Sequence, residues 1–250
     1  MSESLSARPA SASWRRFTAA APAGRRLPTD AAVYGPDVAT EVGLRLLGSI
    51  KGKRVIDLGC GAGHGSISLA RAGARVVGVD PSAEQLALAK EAATKAGVRV
   101  ELHHADPASL AFLQAEAIDA AFSAFALAEV VDLERVFRQV NRVLKQAAPF
   151  AFSLPHPAFA MLDPTGKDPL RLARRYGDKR TVTWSRNGEE VTDHHRSIGE
   201  VFTGLTRANF RVDVLLEPEP EGSSARSAHW TEVMRYVPAT VIFRGRKAGG

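Results

Sequence analysis

The residues with the clearest chemical potential stand in one run, Val55 to Gly65, which reads Val-Ile-Asp-Leu-Gly-Cys-Gly-Ala-Gly-His-Gly. An apolar strand reaches an acid at Asp57, and glycine then occupies every second position. Glycine lets a backbone approach a ligand where any Cβ would collide. Helical residues follow from Ser66 to Arg71, so the run would hold its ligand at a helix N-terminus, as doubly wound α/β folds do with nucleotide-like cofactors.

The spacing of these glycines argues against a phosphate ligand. A dinucleotide fingerprint needs glycines at its first, third and sixth positions. Counted from Gly59, the sixth position is His64, and counted from Gly61 it is Ser66. A phosphate-cradling loop would need a Gly-Lys-Ser/Thr ending, which this run lacks. Neither of these two phosphate-binding patterns is therefore present.

Asp80 is a second acid at the end of an apolar strand, Arg75 to Asp80, about 20 residues beyond the glycine loop. In doubly wound folds an acid at this place accepts hydrogen bonds from ribose hydroxyls. A carboxylate there would also repel a 2′-phosphate, which argues against NADP. The sequence therefore predicts a ribose-binding role for Asp80.

The next helix and strand carry polar residues with ordinary structural roles. Ser82 is predicted to be the N-cap of the helix, with Gln85 completing a capping box, and this role is preferred to a ligand contact for Gln85. A third strand, Val98 to His104, leads to Asp106 before a proline. An ordinary turn is one role for such an aspartate.

Apolar periodicity predicts the remaining elements. Ile118 to Leu127 is nearly unbroken in apolar residues, as a strand covered on both faces would be. Asp132 to Leu144 has apolar residues at helical spacing. The other predicted elements are a helix from Pro36 to Ile50 capped at Asp37, strands from Phe150 to Leu154, Phe210 to Leu216 and Thr240 to Arg246, and a helix from Ile198 to Ala208.

Taken in order, these motifs resemble those of class I S-adenosylmethionine-dependent methyltransferases, from Val55 to about Pro155. The resemblance implies an α/β fold with a doubly wound, Rossmann-like seven-stranded sheet. That sheet is mostly parallel with one antiparallel edge strand, and it has helices on both faces and a small hairpin cap. One departure is Gln146-Ala-Ala-Pro149, which stands where the family commonly has Pro-Gly-Gly, so a different turn geometry is expected there.

The same resemblance implies S-adenosyl-L-methionine as the cofactor. In the family the glycine loop faces the amino acid moiety and the ribose. Asp57 would meet the ammonium group directly or through a water, Asp80 the ribose, and Asp106 the adenine amino group. The cofactor-binding residues implied in this way are Asp57, Gly59, Cys60, Gly61, Gly63, Asp80, Pro81, Asp106, Pro107, Ser123 and Tyr34. Two roles stay open for Tyr34: closing the pocket, or anchoring the N-terminal segment to the core.

Substrate choice is expected to lie in residues 156–197, where strands and helices stop alternating regularly. Asn187-Gly188 stands between two alternating runs within Lys179 to Asp193, which is a strong signal for a two-residue hairpin. This hairpin is predicted to cap the cleft as a substrate-cap insertion.

A general base is the group that some acceptors would require. Methyl transfer from a sulfonium depends mainly on holding the acceptor atom in line with the leaving sulfur. A hydroxyl or a protonated amine would also need a base, and histidine titrates in the useful range. His156, directly after the fifth strand, is the first candidate because these folds bind ligands at strand carboxyl ends, and His194 and His195 are second candidates. No histidine spacing indicates a metal site.

Length and composition agree with one α/β domain. The chain has 250 residues, 45% of them apolar, which suffices for a domain spanning 33–250 without a second one. Residues 1–32 are rich in Ala, Ser, Pro and Arg and predict a flexible basic arm. The single cysteine, Cys60, excludes an intrachain disulfide and favours a cytoplasmic protein in which this thiol packs. No apolar run reaches the ~18 residues of a membrane span.

Two further functions stay open beside a small-molecule methyltransferase that is a monomer or homodimer. A net charge of +6 would suit an RNA or DNA methyltransferase. Its phosphate contacts would come from Arg171, Arg174, Arg175, Lys179 and Arg180. Two observations argue against this function. The fourth strand ends Ser-Ala-Phe-Ala from Ser123, whereas amino-methylating nucleic-acid enzymes of the superfamily bind a flipped base with Asp/Asn-Pro-Pro-Tyr at this place. A run of charged residues is also usually only a solvent-exposed surface. The other alternative is a cofactor-binding protein without catalysis.

Overall fold

A computed structural model describes residues 31–35, 37–162, 167–186, 189–219, 230 and 232–249, with only the backbone described for 182–192. The predicted basic arm lies outside these ranges except for residues 31 and 32, and Asn187-Gly188 lies outside them too. Within these ranges no helix is long and apolar enough to cross a membrane.

Nine strands and five α-helices are found in the described ranges. The strands are β1 Arg54–Leu58, β2 Arg75–Asp80, β3 Val100–His104, β4 Ala120–Ala124, β5 Pro149–Pro155, β6 Val182–Arg186, β7 Glu189–Asp193, β8 Phe210–Leu216 and β9 Thr240–Lys247. The helices are α1 Glu41–Leu44, α2 His64–Arg71, α3 Ala83–Lys95, α4 Leu133–Val143 and α5 Ile198–Arg207. Short 3₁₀ helices span Ala126–Glu129, Phe159–Met161 and Glu232–Arg235.

Seven strands form one sheet in the order β3-β2-β1-β4-β5-β9-β8, and β6 pairs with β7 as a separate hairpin. The pairings from β3 to β5 are parallel, whereas β9 is antiparallel to both β5 and β8. The predicted fold class is confirmed. The strand order reverses between β1 and β4, and such a switch point is where open α/β sheets bind ligands.

The antiparallel strand β9 lies next to the edge, and the edge position itself belongs to β8. The sequences of the two strands explain this order. In β8 only Phe210 is buried, and exposed residues then alternate with half-buried ones, whereas Thr240 to Phe243 of β9 are buried without interruption. A strand with neighbours on both sides and helices or loops on both faces needs the second pattern.

The sheet buries one apolar cluster on each face. Phe137 of α4 packs on Phe150 and Phe152 of β5, with ring centroids 6.2 and 5.6 Å apart, and Leu205 of α5 belongs to the same cluster. The opposite face is covered by α2 and by the segment before β1. Helices on both faces were predicted, and this is confirmed.

The predicted helix from Pro36 to Ile50 is wrong apart from one turn, Glu41–Leu44. The helix ends because Arg45 adopts a left-handed conformation with φ of +51°. The buried carboxylate of Glu41 then accepts the N–H groups of Leu46 and Leu47 at 3.1 and 2.7 Å, in place of helical carbonyls. Asp37 has φ of +59° and caps no long helix. The carboxylate therefore takes over hydrogen bonds that a helix would have made.

Two predicted strand boundaries also need correction. β4 stops at Ala124 instead of continuing to Leu127, because Phe125 has φ of +57° and a 3₁₀ helix follows it. β3 begins at Val100, since the N–H of Val98 still donates to Ala93 at the end of α3. In the turn from Gln146 to Pro149, where the family commonly has Pro-Gly-Gly, Ala147 adopts a left-handed conformation with φ of +59°.

Two predicted elements are found, the helix that follows Asp132 and the hairpin. Asp132 caps α4 by accepting the N–H of Arg135 at 2.9 Å. In the hairpin, Arg186 pairs with Glu189, which leaves the two predicted turn residues between them. These elements were predictable because the residues that determine them are neighbours in the sequence.

The turns that follow β1 and β4 touch each other at the switch point. Gly59 has φ of +71°, and a Cβ placed on it would lie 2.1 Å from the Cβ of Ala126. The N–H groups of Gly59 and Cys60 both donate to the carbonyl of Val79 in β2, at 2.7 and 3.0 Å. Packing alone therefore requires glycine at position 59.

Gly59→Ala is expected to lower the free energy of unfolding by about 3 kcal/mol or more, because left-handed backbone strain of ~1–2 kcal/mol adds to overpacking of ~1–3 kcal/mol. Gly97→Ala is the matched control, since Gly97 has φ of +68° and nothing lies within 4 Å of the point that an added methyl group would occupy. In the control, the free energy of unfolding should fall only by the contribution of backbone strain. Urea unfolding measures both, and equal losses would contradict the packing argument.

Candidate functional site

The glycine loop, residues 59–63, follows β1 and lies beside the end of β2, at the crevice expected where the strand order reverses between β1 and β4. Gly61 and Gly63 have φ of +51° and +84°. A Cβ on Gly63 would lie 3.0 Å from the Cβ of Ala89 in α3, so this glycine serves helix packing. A Cβ on Gly61 would meet the Oε1 of Gln85, at 3.7 Å, in ordinary contact. Gly61 is therefore the glycine of the loop whose surroundings leave room for a ligand.

Asp80 binds the glycine loop through its carboxylate. One oxygen accepts the N–H of Gly61 at 2.8 Å and the other accepts the N–H of Ser82 at 2.9 Å. Each carboxylate oxygen has a second lone pair, so both can accept one more hydrogen bond. Burial raises the pKa of Asp80, and the two backbone hydrogen bonds lower it in part. The ribose-binding role of Asp80 stays a prediction, and this remaining acceptor capacity is what it requires.

Asp57 lies under the loop and is 3% exposed. Its carboxylate accepts the hydroxyl of Ser66, the residue in the first turn of α2, at 2.7 Å. Burial raises the pKa of Asp57 to about 7, and the charge of Asp80 acts in the same direction. A cation bound nearby would favour the ionised form of this carboxyl group.

Gln85 contributes a buried acceptor beside the loop. Its Oε1 is buried and has no hydrogen-bond partner among the described residues. Its backbone N–H donates to Ser82 Oγ at 3.3 Å, which confirms the N-cap. The predicted capping box is not formed, because the N–H of Ser82 donates to Asp80 instead. Buried acceptors without a partner are uncommon and frequently mark functional sites.

These groups fit one kind of ligand. The two carboxylates and the amide oxygen supply hydrogen-bond acceptors and negative charge, which suit a ligand with hydroxyl donors and positive charge. A phosphate would be repelled by both acids. In the part of the chain that the structure describes, no group of three or more His, Cys, Asp or Glu is arranged to hold a metal ion.

Ser123 and Cys60 stabilise the walls of the crevice. The hydroxyl of Ser123 is fully buried and donates to the carbonyl of Leu58 at 2.7 Å, which joins β4 to β1. Burial raises the pKa of the Cys60 thiol, whose Sγ would lie 3.0 Å from a Cβ on Gly78. Both side chains are occupied by contacts within the protein, and a cofactor contact for either stays a prediction.

Pro81, Asp106 and Pro107 lie at the carboxyl ends of β2 and β3. The Oδ1 of Asp106 accepts the N–H of Ala108 at 2.7 Å, which is the ordinary turn role. The carbonyl of Pro81 lies 3.0 Å from Nε2 of His104. The contact between Asp106 and adenine stays a prediction.

Tyr34 is fully buried on the far side of β4 from α4 and α5. Its hydroxyl donates to Glu41 at 2.6 Å, and its ring packs 5.3 Å from that of Phe122. Of the two roles left open for Tyr34, these contacts support anchoring. The next residue, Gly35, packs on Phe125: a Cβ there would lie 2.9 Å from the ring.

His156 follows β5 directly and is 5% exposed. Its Nε2 lies 2.6 Å from a carboxylate oxygen of Glu217, and its Nδ1 accepts the N–H of Ala158 at 3.1 Å. A carboxylate accepts, so Nε2 carries the proton in this arrangement. Both ring nitrogens are therefore engaged, and neither is left for an acceptor proton.

His194 and His195 lie where the chain leaves β7. His195 is 8% exposed, and its Nε2 donates to the carbonyl of Tyr176 at 2.7 Å. Burial lowers the pKa of both histidines. A cavity of 30 Å³ meets them at the end of β5; its walls are formed by Ala128, Leu154, Pro155, Ala160, Asp193, His194, His195 and Arg196. The structure thus brings the two second candidates together and places His156 apart from that cavity wall.

Three residues of the site were missed from the sequence. Phe125 has a positive φ that no local pattern indicated. Arg196 donates to the carbonyls of Val130 and Val131, and Glu217 fixes His156 from 61 positions away. The stretches that contain Arg196 and Glu217 resemble those of a subgroup of bacterial small-molecule methyltransferases, but no local signal gave the roles of the three residues, because each depends on a partner distant in the chain.

Comparison with known proteins agrees with this geometry. A family model described as a methyltransferase domain matches residues 55–147. A candidate S-adenosylmethionine dependent methyltransferase from Listeria monocytogenes is 25% identical, with a TM-score of 0.70, over 82% of this chain and 95% of that one. An S-adenosylmethionine dependent methyltransferase from Mesorhizobium loti is 25% identical, with a TM-score of 0.64, over 82% of this chain and 96% of that one.

A curated relative is similar over the core of the fold. It is a ubiquinone biosynthesis O-methyltransferase from Hahella chejuensis, 37% identical over 105 residues, which are 42% of this chain and 44% of the relative. The chain therefore matches under half the length of this relative. The fold and the two structural relatives agree with the matched family model and with the acidic strand ends: residues 55–147 form a methyltransferase domain, and the chain has the Rossmann-like fold of S-adenosylmethionine-dependent methyltransferases.

Proposed function

We propose that the protein transfers a methyl group from S-adenosylmethionine to a small-molecule acceptor, and that the crevice between β1 and β4 holds the cofactor. The observation that supports this acceptor class is a cavity of 30 Å³, which residues 193–196 line together with Ala128 and the end of β5. That space accommodates a small reacting group. The O-methyltransferase relative, whose name refers to ubiquinone biosynthesis, supports the same class.

The cofactor would be held by acids and backbone. Asp80 has acceptor capacity left for the ribose hydroxyls, and Gly61 lets the chain approach the ligand. Asp57 would favour the ammonium group by its charge, and Asp106 the adenine amino group. The bound cofactor supplies an electrophilic methyl group on a sulfonium. The protein then has to hold the acceptor atom in line with that methyl group and keep water out.

Nucleic acid is a weaker alternative because much of the basic cluster is paired within the protein. Arg180 donates to Asp178 through two nitrogens, and Arg174 donates to the carbonyls of Asp178 and Arg180. Lys179 pairs with Glu200. Charges neutralised in this way contribute less to a phosphate-binding surface. Retention on an RNA column that falls with salt would favour the nucleic-acid alternative.

The organisation proposed from the sequence is kept: an arm at 1–32, a methyltransferase domain at 33–250 and a cap at 156–197. A single cysteine also supports a cytoplasmic location. Gel filtration with light scattering distinguishes a monomer from a homodimer.

Asp80→Asn is expected to weaken S-adenosylmethionine and S-adenosylhomocysteine binding about 10- to 100-fold, because hydrogen bonds to a charged acceptor are lost. Asp119→Asn is the matched control. Asp119 also accepts a backbone N–H, from Arg54 at 2.8 Å, but at the opposite end of β4. Calorimetric titration should give an unchanged dissociation constant for the control. Unchanged affinity in Asp80→Asn would remove the proposed ribose site.

The affinity for S-adenosylmethionine is expected to rise roughly tenfold from about pH 5.5 to pH 7.5. Burial raises the pKa of Asp57 to about 7, so below that pH the positively charged ligand must displace a proton from this carboxyl group. Titrations in buffers of different ionisation enthalpy would also detect the released proton. Asp57→Asn should flatten the pH profile, and a profile identical to wild type in that variant would contradict the assignment.

A further inference from the structure

The cavity beside the cap carries an inference about the acceptor, which rests on the proposed function. Four of its walls are apolar, formed by Ala128, Leu154, Pro155 and Ala160. At 30 Å³ it has room for about two water molecules. It therefore fits a hydroxyl-sized reacting group, and the body of the acceptor has to lie beyond it or displace the cap.

His195 lines this cavity, and one contact defines the protonation of its ring. The carbonyl of Tyr176 can only accept, so Nε2 of His195 carries a proton in the neutral ring and Nδ1 carries a lone pair. No hydrogen-bond partner of Nδ1 occurs among the described residues. This is the arrangement of an oriented general base: one nitrogen fixed by a carbonyl, the other available.

The contacts around His195 hold it at the strand ends. The N–H of His194 donates to the carbonyl of Ala128 at 2.8 Å, and the guanidinium of Arg196 donates to the carbonyls of Val130 and Val131. Tyr176 is fixed in turn, because its hydroxyl accepts the N–H of Ile198 at 3.3 Å. The cap is thereby joined to the segment that follows β4, the strand at the switch point.

The charges around His195 bear on the kind of acceptor it can serve. Burial lowers its pKa, the positive charges of Arg174 and Lys179 lower it further, and Asp178 opposes them. A weak base of this kind suits a hydroxyl that is itself acidic, such as a phenol with a pKa of about 10, better than an aliphatic alcohol. Arg196 lines the same cavity and disfavours a protonated amine, although Asp193 offsets part of its charge.

We propose that the acceptor is an acidic hydroxyl, of a phenol or enol, and that Nδ1 of His195 takes its proton. As the acceptor oxygen bonds to the methyl carbon, the carbon–sulfur bond breaks and its electron pair stays on sulfur. The products are a methyl ether, the neutral thioether S-adenosylhomocysteine and a proton on His195, which solvent then removes. His195 thus acts as a catalytic base in place of His156.

An acceptor panel with S-adenosylmethionine labelled in the methyl group tests the chemical class. The probes are catechol, benzyl alcohol and benzylamine, which are similar in size. Catechol offers acidic phenolic hydroxyls, benzyl alcohol an aliphatic hydroxyl and benzylamine an amine. Transfer to catechol at least tenfold faster than to the other two is expected. Faster transfer to benzylamine or benzyl alcohol, or no transfer to catechol, would overturn the proposal.

His195→Gln tests the base, because glutamine keeps a donor for Tyr176 and lacks the titrating nitrogen. With catechol, kcat is expected to fall about 100-fold, in line with the contribution of a general base. With 4-nitrocatechol, which is largely ionised at about pH 8 without a base, the loss should shrink below about fivefold. Equal losses with the two acceptors would indicate a structural role and contradict the proposal.

His103→Gln is the matched control, since His103 pairs with Glu101 on β3 and lies away from the cap. It should transfer methyl groups at the wild-type rate. Calorimetry of S-adenosylhomocysteine binding separates the two levels of the argument. If wild type does not bind this product, the proposed function fails; if binding is normal in wild type and in His195→Gln but the acceptor preference is absent, the acceptor inference alone fails.

Discussion

The close approach of the turns after β1 and β4 is the constraint on which the ligand-binding edge depends. These strands are neighbours in the sheet, yet the chain leaves them toward opposite sides, so their carboxyl ends form the walls of a crevice. Gly59 and Ala126 set its width, because a Cβ on Gly59 would lie 2.1 Å from that of Ala126. A hydrogen bond from the hydroxyl of Ser123 in β4 to the carbonyl of Leu58 in β1 also joins these two strands. The loop can then offer its backbone at Gly61 in a defined position.

The electrostatics of the crevice follow from that geometry. Asp57 and Asp80 are both buried at the ends of adjacent strands, and burial together with the charge of Asp80 raises the free energy of ionising Asp57. Without a ligand this arrangement destabilises the fold, since buried carboxylates lose their hydration. A bound ligand with positive charge and hydroxyl donors would instead stabilise the ionised carboxylates. The buried oxygen of Gln85 adds a further acceptor that destabilises the protein in the same way until a donor meets it. The burial of the two acids therefore does not stabilise the fold by itself, and this supports the proposal that they bind a ligand.

The sequence predicted those parts of the site that local rules determine. The glycine loop, Asp80 and the N-cap at Ser82 depend on residues within a few positions of each other, and the structure has them as expected. The segment before β1 could not be predicted in this way, because the side chain of Glu41 replaces helical hydrogen bonds and its other partner is Tyr34. The apolar periodicity of the sequence also could not predict that β9 lies inside the sheet, between β5 and β8. Its uninterrupted run of buried residues explains that position.

The histidines show most directly what the sequence leaves open. The sequence argument favoured His156 because it directly follows a strand, and the structure does place its backbone at the carboxyl end of β5. The chemistry of an imidazole depends instead on what contacts its two nitrogens. Glu217 and the N–H of Ala158 occupy both nitrogens of His156, whereas His195 is bound at Nε2 by a carbonyl from a different segment. Because a carbonyl accepts and never donates, the partner of one nitrogen determines the protonation of the other. The role of a histidine in this fold is thus determined by tertiary contacts made after the strands are in place, and the cap supplies those contacts for His195.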